Sequence, residues 1–427
     1  MSKDPLAGLP SRSRIAELVL RKHPHRNTFA GWEHYRRTRG LLVPAPMLTA
    51  AQLKSVPLAR RSDYDLYRQV TNVNLPLQQT PMLTKVNEVI DRRLLSNPFV
   101  QDDATLPGVM VSGFGNHGKT AAVCALAAEF EDYWLDLHGH LDPTSVEGTW
   151  DLHAPVAYVS TPVTATPKSL CESILNFFGP DIRKMTLPQL LRQVADSLRD
   201  HGVMVLILDD INRLRMHRSD DQDVLDMIRA LMGCGITLIL SGVNIPGTGL
   251  LREATYDRKT KQWVLPPLET HRVHGLEVTQ TERRFDLVEL DRFPYGTPAE
   301  MRHFVGHLKG IEDHLRLMKA KPGMLTSGGM PEYLYGRCAG VVGILGRLVR
   351  DAAIAAMQSG KEKIDEALLE GIIIGRENPA HGIGQAPDDA GEPEACKPTT
   401  NRTRPRKAGR NTVFDDHGPQ HSNEAAS

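Results

Sequence analysis

The chain contains the stretch GVMVSGFGNHGKT at residues 108 to 120. Its apolar beginning is typical of a buried strand, and the AAVCALAAEF that follows has apolar residues at helical spacing. Between the two, Gly113 is separated by four residues from Gly118, Lys119 and Thr120. A glycine-rich turn between a strand and a helix lets backbone N–H groups surround phosphate oxygens, and the helix N-terminus favours the same negative charge. The stretch therefore predicts a phosphate-binding loop.

The loop predicts ATP and Mg²⁺ as cofactors. Lys119 is expected to reach the β- and γ-phosphates, and the Thr120 hydroxyl to bind Mg²⁺. We interpret His117 as a variable loop position rather than a catalytic base. The alternative is a chance match in a glycine-rich turn, which requires the adjoining strand and helix to be accidental as well. The predicted nucleotide-binding residues of the loop are Gly113, Gly115, Asn116, His117, Gly118, Lys119 and Thr120.

Composition limits the class of protein. The chain has 427 residues, enough for two or three structural units, and its formal net charge is zero. Any contact with nucleic acid must therefore come from local basic patches. The five cysteines are scattered without close pairs, as expected in a reducing cytoplasm. Neither a signal peptide nor a run of about 20 apolar residues is recognisable, and we expect a cytoplasmic protein.

Apolar runs and helical patterns alternate between residues 105 and 290, which is typical of parallel βαβ units. Because the runs are nearly all apolar, both faces of the sheet should be covered by helices. The predicted fold class is α/β, with a five-stranded parallel sheet followed by a small α-helical lid domain. Predicted strands are 109–112, 156–159, 203–208, 236–241 and 285–290, and predicted helices are 119–130, 169–178, 187–199 and 224–232.

Four regions are predicted along the chain. Residues 1–79 form a basic, partly helical arm, with helical spacing from Ala50 to Val70, that packs on a neighbour rather than around its own core. Residues 80–296 form the α/β nucleotide-binding domain, entered by a helix that Thr80 caps. Residues 297–375 form a lid of three helices. Residues 376–427, poor in apolar residues, are predicted to be disordered.

A second motif supports the nucleotide site. The run VMVLILDDINRL, residues 203 to 214, is an apolar strand that ends in Asp209 and Asp210. Carboxyl ends of parallel strands meet at one edge of a sheet, beside the phosphate-binding loop. Asp209 is predicted to hold Mg²⁺ and Asp210 to orient or deprotonate the attacking water. The alternative is a solvated aspartate pair that closes a strand.

Two further polar positions have open interpretations. Asn244 follows the strand ITLILS, where its amide can contact the γ-phosphate and the attacking water or can cap a turn. Arg283 and Arg284 precede the last strand, where Arg284 can project into a neighbouring subunit's site or belong to a solvated surface.

The His- and Asp-containing segment 136–153 suggests a metal site at first sight. Its residues Asp136, His138, His140, Asp142 and His153 form no ligand set of standard spacing, and we interpret it as a surface hairpin.

Taken together, these motifs resemble those of AAA+ ATPases and, within them, the TniB/TnsC-type transposition ATPases. The resemblance covers residues 30 to 375. The pieces that carry it are VNLPLQQTP (73–81), APVAYVSTPVTATPKSLCESILNFFG (154–179), LILDDINRL (206–214), ITLILSGVN (236–244) and GVVGILGRLVRDAAIAAMQSGKEKI (340–364).

The resemblance implies an ATP-dependent regulator that assembles into rings or filaments on double-stranded DNA, recruits a DDE transposase and helps to choose the target site, with a target-selector protein as a further possible partner. Basic residues that can contact DNA are Arg215 and Arg218 after the second motif, and Arg258, Lys259 and Lys261 on a predicted hairpin tip; ordinary solvated loops are the alternative.

Two departures from the family pattern concern the response to ATP. Asp210 stands where many related proteins have glutamate. Gly343 stands where many AAA+ lids have a phosphate-sensing arginine, and Arg347, one turn later, can replace it only if the helix is rotated. Other functions that the motifs allow are a helicase-loader-like or initiator-like AAA+ protein and a signalling NTPase switch without DNA binding.

Overall fold

The central sheet has five strands, all parallel, in the order β2-β3-β4-β1-β7. This arrangement confirms the predicted five-stranded α/β core, with boundaries within two residues of those expected from the sequence. The strands are β1 Gly108–Ser112, β2 Val156–Ser160, β3 Val205–Asp209, β4 Thr237–Gly242 and β7 Phe285–Glu289, and a separate antiparallel hairpin consists of β5 Thr255–Asp257 and β6 Gln262–Val264.

The computed structural model describes Leu6 and residues 24–101, 105–141, 153–163, 165–179, 185–214, 221–245, 255–257, 262–264 and 281–374. Its helices are α1 Phe29–Thr38, α2 Ala50–Ser55, α3 Leu58–Val73, α4 Pro81–Ser96, α5 Lys119–Leu141, α6 Pro167–Phe178, α7 Leu187–Asp200, α8 Asp221–Met232, α9 Pro298–His314, α10 Met330–Cys338, α11 Val342–Gln358 and α12 Glu366–Glu370. The predicted C-terminal tail lies outside the described residues.

The register of the strands brings their carboxyl ends to one edge. Ser160 of β2 pairs with Asp209 of β3, and Ser112 of β1 pairs with Gly242 of β4. β4 therefore separates the strand that ends in Asp209 from the strand that leads into the phosphate-binding loop. Strands β1, β3 and β4 are buried along their whole length, because helices cover both faces of the sheet.

Helix α4 begins as its sequence predicts. The Thr80 hydroxyl accepts a hydrogen bond from Leu83 N at 3.1 Å, and Pro81 occupies the first helical position, where no N–H is needed. A cap of this kind stabilises a helix by about 1 kcal/mol. The cap fixes where the chain turns into the nucleotide-binding core.

The lid contains four helices in its described residues, not the three predicted. The additional helix is α10, which has nine residues and includes Pro331 and Gly336. Gly336 in the helix interior weakens the helical pattern, whereas Pro331 is in the first turn, where proline is tolerated, so periodicity alone does not reveal the element. Packing stabilises it instead, since Leu334 and Cys338 are buried in the main apolar core.

The helical pattern from Ala50 to Val70 in the N-terminal arm is two helices, α2 and α3, separated at Pro57, whose ring cannot continue a helix. The arm also contributes most of a second apolar cluster, which includes Leu48, Tyr64 and Tyr67 and against which Met318 packs.

Arm and lid are joined by a buried charge pair. Arg68 of α3 is 3% exposed, and its guanidinium binds the Glu362 carboxylate at 2.8 Å and the Arg316 carbonyl at 3.1 Å. A buried arginine is tolerated only with such partners, because desolvating an unpaired charge is costly. Arg68 therefore fixes α3 to the loop that follows α11.

None of the helices in the described ranges is long and apolar enough to cross a membrane.

Candidate nucleotide-binding site

The loop between β1 and α5 has the backbone shape of a phosphate-binding turn. Asn116 and Gly118 adopt left-handed conformations, with φ of 62° and 86°. Gly113 approaches the end of β7 so closely that a Cβ atom there would lie 2.6 Å from the Leu290 carbonyl oxygen. Glycine at residue 113 is therefore required by the close approach of two backbones.

Lys119 lies inside its own loop. Its ammonium donates hydrogen bonds to the carbonyl oxygens of Gly113 at 2.8 Å and Phe114 at 2.7 Å. Burial lowers the pKa of Lys119, and the carboxylates of Asp209 and Asp210 oppose that shift. The structure thus holds a positive side chain within a turn whose backbone is built to surround an anion.

Asp209 is the centre of the second motif. The Thr120 hydroxyl donates to Asp209 Oδ2 at 2.7 Å, the Tyr158 hydroxyl donates to the same oxygen at 2.7 Å, and Asp210 N donates to Oδ1 at 3.0 Å. Asp209 is 4% exposed, so these donors replace the water that a carboxylate otherwise binds. The contact between Thr120 and Asp209 joins the two motifs.

The donor set fits Mg²⁺. A hydroxyl and a carboxylate oxygen are hard ligands of the kind that Mg²⁺ prefers, and a magnesium site needs only one or two of them besides phosphate and water. The same edge carries two further buried hydroxyls, of Thr161 and Ser241, without a hydrogen-bond partner among the described residues. Polar groups are thus concentrated where a charged ligand would bind.

Asp210 turns out of the strand. Its backbone is left-handed, with φ of 55°, and its carboxylate pairs with Arg213 at 2.8 Å. Both side chains are close to two-fifths exposed, so the pair contributes at most about 1 kcal/mol. Arg213 also donates to the Thr161 carbonyl oxygen at 3.0 Å, which fixes the turn after β3 against the end of β2.

The side chain of His117 is buried between the loop and the segment after β7. It is 6% exposed, and its Nδ1 lies 2.8 Å from the Leu290 carbonyl oxygen and 3.2 Å from the backbone nitrogen of Phe114. Burial lowers the pKa of His117. Its side chain therefore anchors the loop to the segment after β7.

The lid contacts the loop through Gly343. Gly343 N donates to the Asn116 carbonyl oxygen at 2.9 Å, within the first turn of α11. Arg347 is 60% exposed and pairs with Asp351 at 3.6 Å on the outer face of the same helix. The position that lacks the expected arginine is thus itself a backbone contact with the phosphate-binding loop.

Asn244 is exposed, with a left-handed φ of 45°, just after β4. Two neighbouring contacts shape this turn: Val243 N donates to Asn212 Oδ1 at 3.1 Å, and Ile245 N donates to Ser112 Oγ at 3.2 Å. Asn212, which the sequence did not single out, therefore connects the turn after β3 with the end of β4.

Arg283 and Arg284 are exposed on the short 3₁₀ turn Glu282–Arg284 that leads into β7. This turn is at the amino end of β7, whereas the loop and Asp209 are at the carboxyl ends of their strands. Arg284 therefore lies at the opposite edge of the sheet from the nucleotide site of its own chain.

The other candidates are only partly described. Arg215, Arg218, Arg258, Lys259 and Lys261 lie outside the described residues, although the strands that flank the last three pair as the predicted hairpin, with Thr255 opposite Val264.

The predicted surface hairpin is partly helical. Residues 136–141 continue α5, because the apolar spacing extends beyond Phe130 through Trp134. The rings of His138 and His153 lie 5.1 Å apart, and burial lowers the pKa of His153. In the described part of the chain, no three His, Cys, Asp or Glu side chains are grouped so that they could hold a metal ion. Residues 142–152 lie outside the described ranges.

Three contacts of this site are not evident from the residue pattern: those of Tyr158, Asn212 and Gly343. Tyr158 is part of an apolar strand, a pattern that indicates a core residue. Asn212 follows the aspartate pair, a polar turn position whose partner is distant in sequence. Only the alternation of β2, which places Tyr158 on the same face as Ser160, could have suggested its position beside Asp209.

The sheet order, the loop after β1 and the carboxylate at the end of β3 form an α/β core with the shape of a P-loop fold. Residues 108–245 match the protein family described as AAA domain.

No curated protein matches the chain. Among solved structures, the ORC1 protein of Aeropyrum pernix in complex with DNA is 14% identical, covering 71% of this chain and 67% of that chain, with a TM-score of 0.46. The ORC2 protein of Aeropyrum pernix in its ADP form is 14% identical over 70% of this chain and 69% of that chain, with a TM-score of 0.43. Cdc6p from Pyrobaculum aerophilum is 15% identical over 70% of this chain and 72% of that chain, with a TM-score of 0.41.

Proposed function

We propose that this chain is an ATPase of the AAA+ type that uses bound ATP to assemble on double-stranded DNA and regulates a transposase. The observation that carries the nucleotide part is the contact of Thr120 with Asp209 beside a buried Lys119. The transposition part rests on the resemblance to TniB/TnsC-type proteins, above all in residues 340–364. The proposed partners are DNA, a DDE transposase, a target-selector protein and further copies of this chain.

In the proposed reaction, Lys119 binds the β- and γ-phosphates after leaving the two loop carbonyl oxygens that it now contacts. Thr120 and Asp209 hold Mg²⁺, which when bound neutralises charge on the phosphate oxygens. Asp210 orients or deprotonates the attacking water, and the exposed amide of Asn244 binds the γ-phosphate. The Asp210–Arg213 pair is compatible with this role, because a half-exposed ion pair costs little to separate.

Asp210 is one methylene shorter than the glutamate of many related proteins, and its carboxylate already has a partner in Arg213. Both features favour slow hydrolysis. A slowly hydrolysed nucleotide suits an assembly switch, in which bound ATP joins subunits and its loss separates them.

We propose that Arg284 reaches the nucleotide of a neighbouring subunit. Its position at the amino end of β7 supports a role between subunits, because Asp209 and Lys119 of the same chain are at the opposite edge. An arginine supplied across an interface stabilises the charge that develops on the transferred phosphate. Arg283, exposed on the same turn, provides a matched control.

Mixing two inactive variants tests this role. Arg284→Ala and Asp210→Asn subunits are each expected to hydrolyse ATP at least about tenfold more slowly than the unchanged protein. Mixed in equal amounts, they should regain a measurable part of the rate, because some interfaces combine an intact Arg284 with an intact Asp210. Arg283→Ala should keep its rate. Failure to regain activity while both variants still assemble would count against Arg284.

The proposed DNA-contacting residues are Arg258, Lys259 and Lys261, in the connection between β5 and β6, and Arg215 and Arg218 after the second motif. When several subunits bind one duplex, a few basic contacts from each chain add up to a high affinity for DNA. Each contact with a phosphate also releases counterions. We therefore expect binding that weakens steeply as salt is added.

The central experiment measures assembly on double-stranded DNA by filter binding and electron microscopy. With a non-hydrolysable ATP analogue, the affinity for DNA is expected to exceed that with ADP by at least about tenfold, because bound nucleotide links subunits and assembly adds contacts. Lys119→Ala serves as a variant that cannot respond to nucleotide. Equal DNA binding with the analogue, with ADP and without nucleotide would contradict the proposed function.

An initiator-like or helicase-loading protein is the second candidate. Sharing a fold with ORC1 and Cdc6p does not decide between the candidates, because the same core serves both. Stimulation of ATP hydrolysis by a transposase encoded beside this chain favours the first candidate, and stimulation by a replicative helicase favours the second. Nucleotide-dependent binding to a protein partner without any DNA binding would instead indicate a signalling switch.

A further inference from the structure

The carboxylate of Asp209 is held by one side chain from outside both nucleotide motifs. Tyr158 of β2 donates its hydroxyl to Oδ2 at 2.7 Å, as Thr120 does, while Oδ1 accepts from Asp210 N at 3.0 Å. A carboxylate offers about four lone-pair positions, so three donors fix its plane and leave it little freedom. Ser160 pairs with Asp209, and Tyr158 is two residues before Ser160, so the side chains of Tyr158 and Asp209 are on the same face of the sheet.

The ring of Tyr158 is in turn held by the N-terminal arm. Trp32 of α1 is completely buried and stacks on this ring, with centroids 6.1 Å apart and an angle of 10° between the planes. The Arg26 guanidinium lies 5.4 Å from the centroid of the same ring. Trp32 is itself fixed, because its indole N–H donates to Glu131 of α5. Stacked and cationic contacts of this kind restrict the rotation of a tyrosine ring.

We propose that Tyr158 is a positioning residue for the Mg²⁺ site: its hydroxyl orients the Asp209 carboxylate, and Trp32 of the N-terminal arm holds the ring that carries it. The inference rests on the proposed function of this edge as an ATP–Mg²⁺ site. The N-terminal arm thereby helps to position the Asp209 carboxylate that would bind Mg²⁺. Groups that orient a metal ligand in this way affect metal affinity about tenfold or more when removed.

The experiment compares Tyr158→Phe with the unchanged full-length chain, using a fluorescent ATP analogue titrated with Mg²⁺. We expect the Mg²⁺ concentration for half-maximal binding to rise roughly tenfold, while the affinity measured in EDTA stays the same. Tyr64→Phe is the matched control, since Tyr64 is also buried and donates its hydroxyl to the Pro46 carbonyl oxygen at 2.7 Å, far from both motifs in the arm. Thermal unfolding of each variant without nucleotide reports any general loss of stability.

The outcomes separate this inference from the proposed function. If the unchanged protein binds no nucleotide, the proposed function fails. If it binds nucleotide in a Mg²⁺-dependent way and Tyr158→Phe titrates identically, only the role of Tyr158 is overturned. Equal Mg²⁺ shifts in Tyr158→Phe and Tyr64→Phe would indicate a general effect of stability and would also overturn it. If Tyr158→Phe does not fold, the Mg²⁺ titration is carried out with Trp32→Phe, which keeps a smaller ring stacked on Tyr158. The Mg²⁺ concentration for half-maximal binding is then expected to rise by a smaller factor.

Discussion

Replacing Lys119 by alanine is expected to weaken the binding of ATP by roughly 100-fold and to reduce hydrolysis below detection, because truncating one member of a buried charged contact costs about 2–5 kcal/mol. Lys119 is the cation held inside the loop, 8% exposed and bound to two loop carbonyl oxygens. Equilibrium binding of a fluorescent ATP analogue measures the change directly.

The control for Lys119→Ala is Lys309→Ala. Lys309 is half exposed on α9 and pairs there with Asp313, so its removal takes away one surface charge without touching the loop. Its ATP affinity should match that of the unchanged protein within about twofold, since exposed ion pairs contribute little. Thermal unfolding checks that Lys119→Ala remains folded, since two loop carbonyl oxygens lose their donor. An unaltered ATP affinity in a folded Lys119→Ala protein would place nucleotide binding elsewhere.

The sheet was predictable because its signals are local. Each buried strand is an apolar run bounded by polar or turn residues, and the Thr80–Pro81 pair marks the start of α4. Asp209 was predictable for the same reason, since a carboxylate that ends an apolar strand lies at the carboxyl edge of a parallel sheet. Its contact with Thr120, 89 residues away, follows from the topology.

The elements that sequence reasoning missed depend on tertiary contacts. Helix α10 is stabilised by packing that offsets the low helix propensity of Gly336. The Asp209 contact of Tyr158 depends on the neighbouring strand, and an aromatic residue in an apolar run carries no sign of a polar partner. At Gly343 the sequence shows only the absence of a side chain, whereas the structure shows a backbone hydrogen bond. Contacts between backbones leave little trace in residue type except a requirement for glycine.

Residue 343 has such a requirement for glycine. A Cβ atom on Gly343 would lie well under 3.0 Å from the Asn116 carbonyl oxygen and 3.0 Å from the Asn116 Cβ atom, so lid and loop would have to separate. Gly346 is on the same helix, and nothing lies within 4 Å of a Cβ atom built there. The two glycines thus form a matched pair that differs in its contact with the loop.

Gly346→Ala is expected to leave ATP affinity unchanged and to stabilise α11 by up to about 1 kcal/mol, because alanine favours a helix over glycine. Gly343→Ala is expected to lower the unfolding temperature and to weaken ATP binding about tenfold, because a hydrogen bond of about 1 kcal/mol and the fit of the lid against Asn116 are lost together. ATP-analogue binding and thermal unfolding of both variants measure the difference, and identical behaviour would show that the lid does not act through residue 343.

Gly343→Arg separates two explanations of the same position. If the phosphate-sensing arginine of many AAA+ lids could be accommodated at residue 343, Gly343→Arg would bind ATP more tightly than the unchanged protein. The close approach to Asn116 leads to the opposite expectation. Gly343→Arg should lose at least as much ATP affinity as Gly343→Ala, because arginine has the same Cβ atom and a longer side chain. The backbone contact of Gly343 with the loop therefore leaves no space for an arginine at this position.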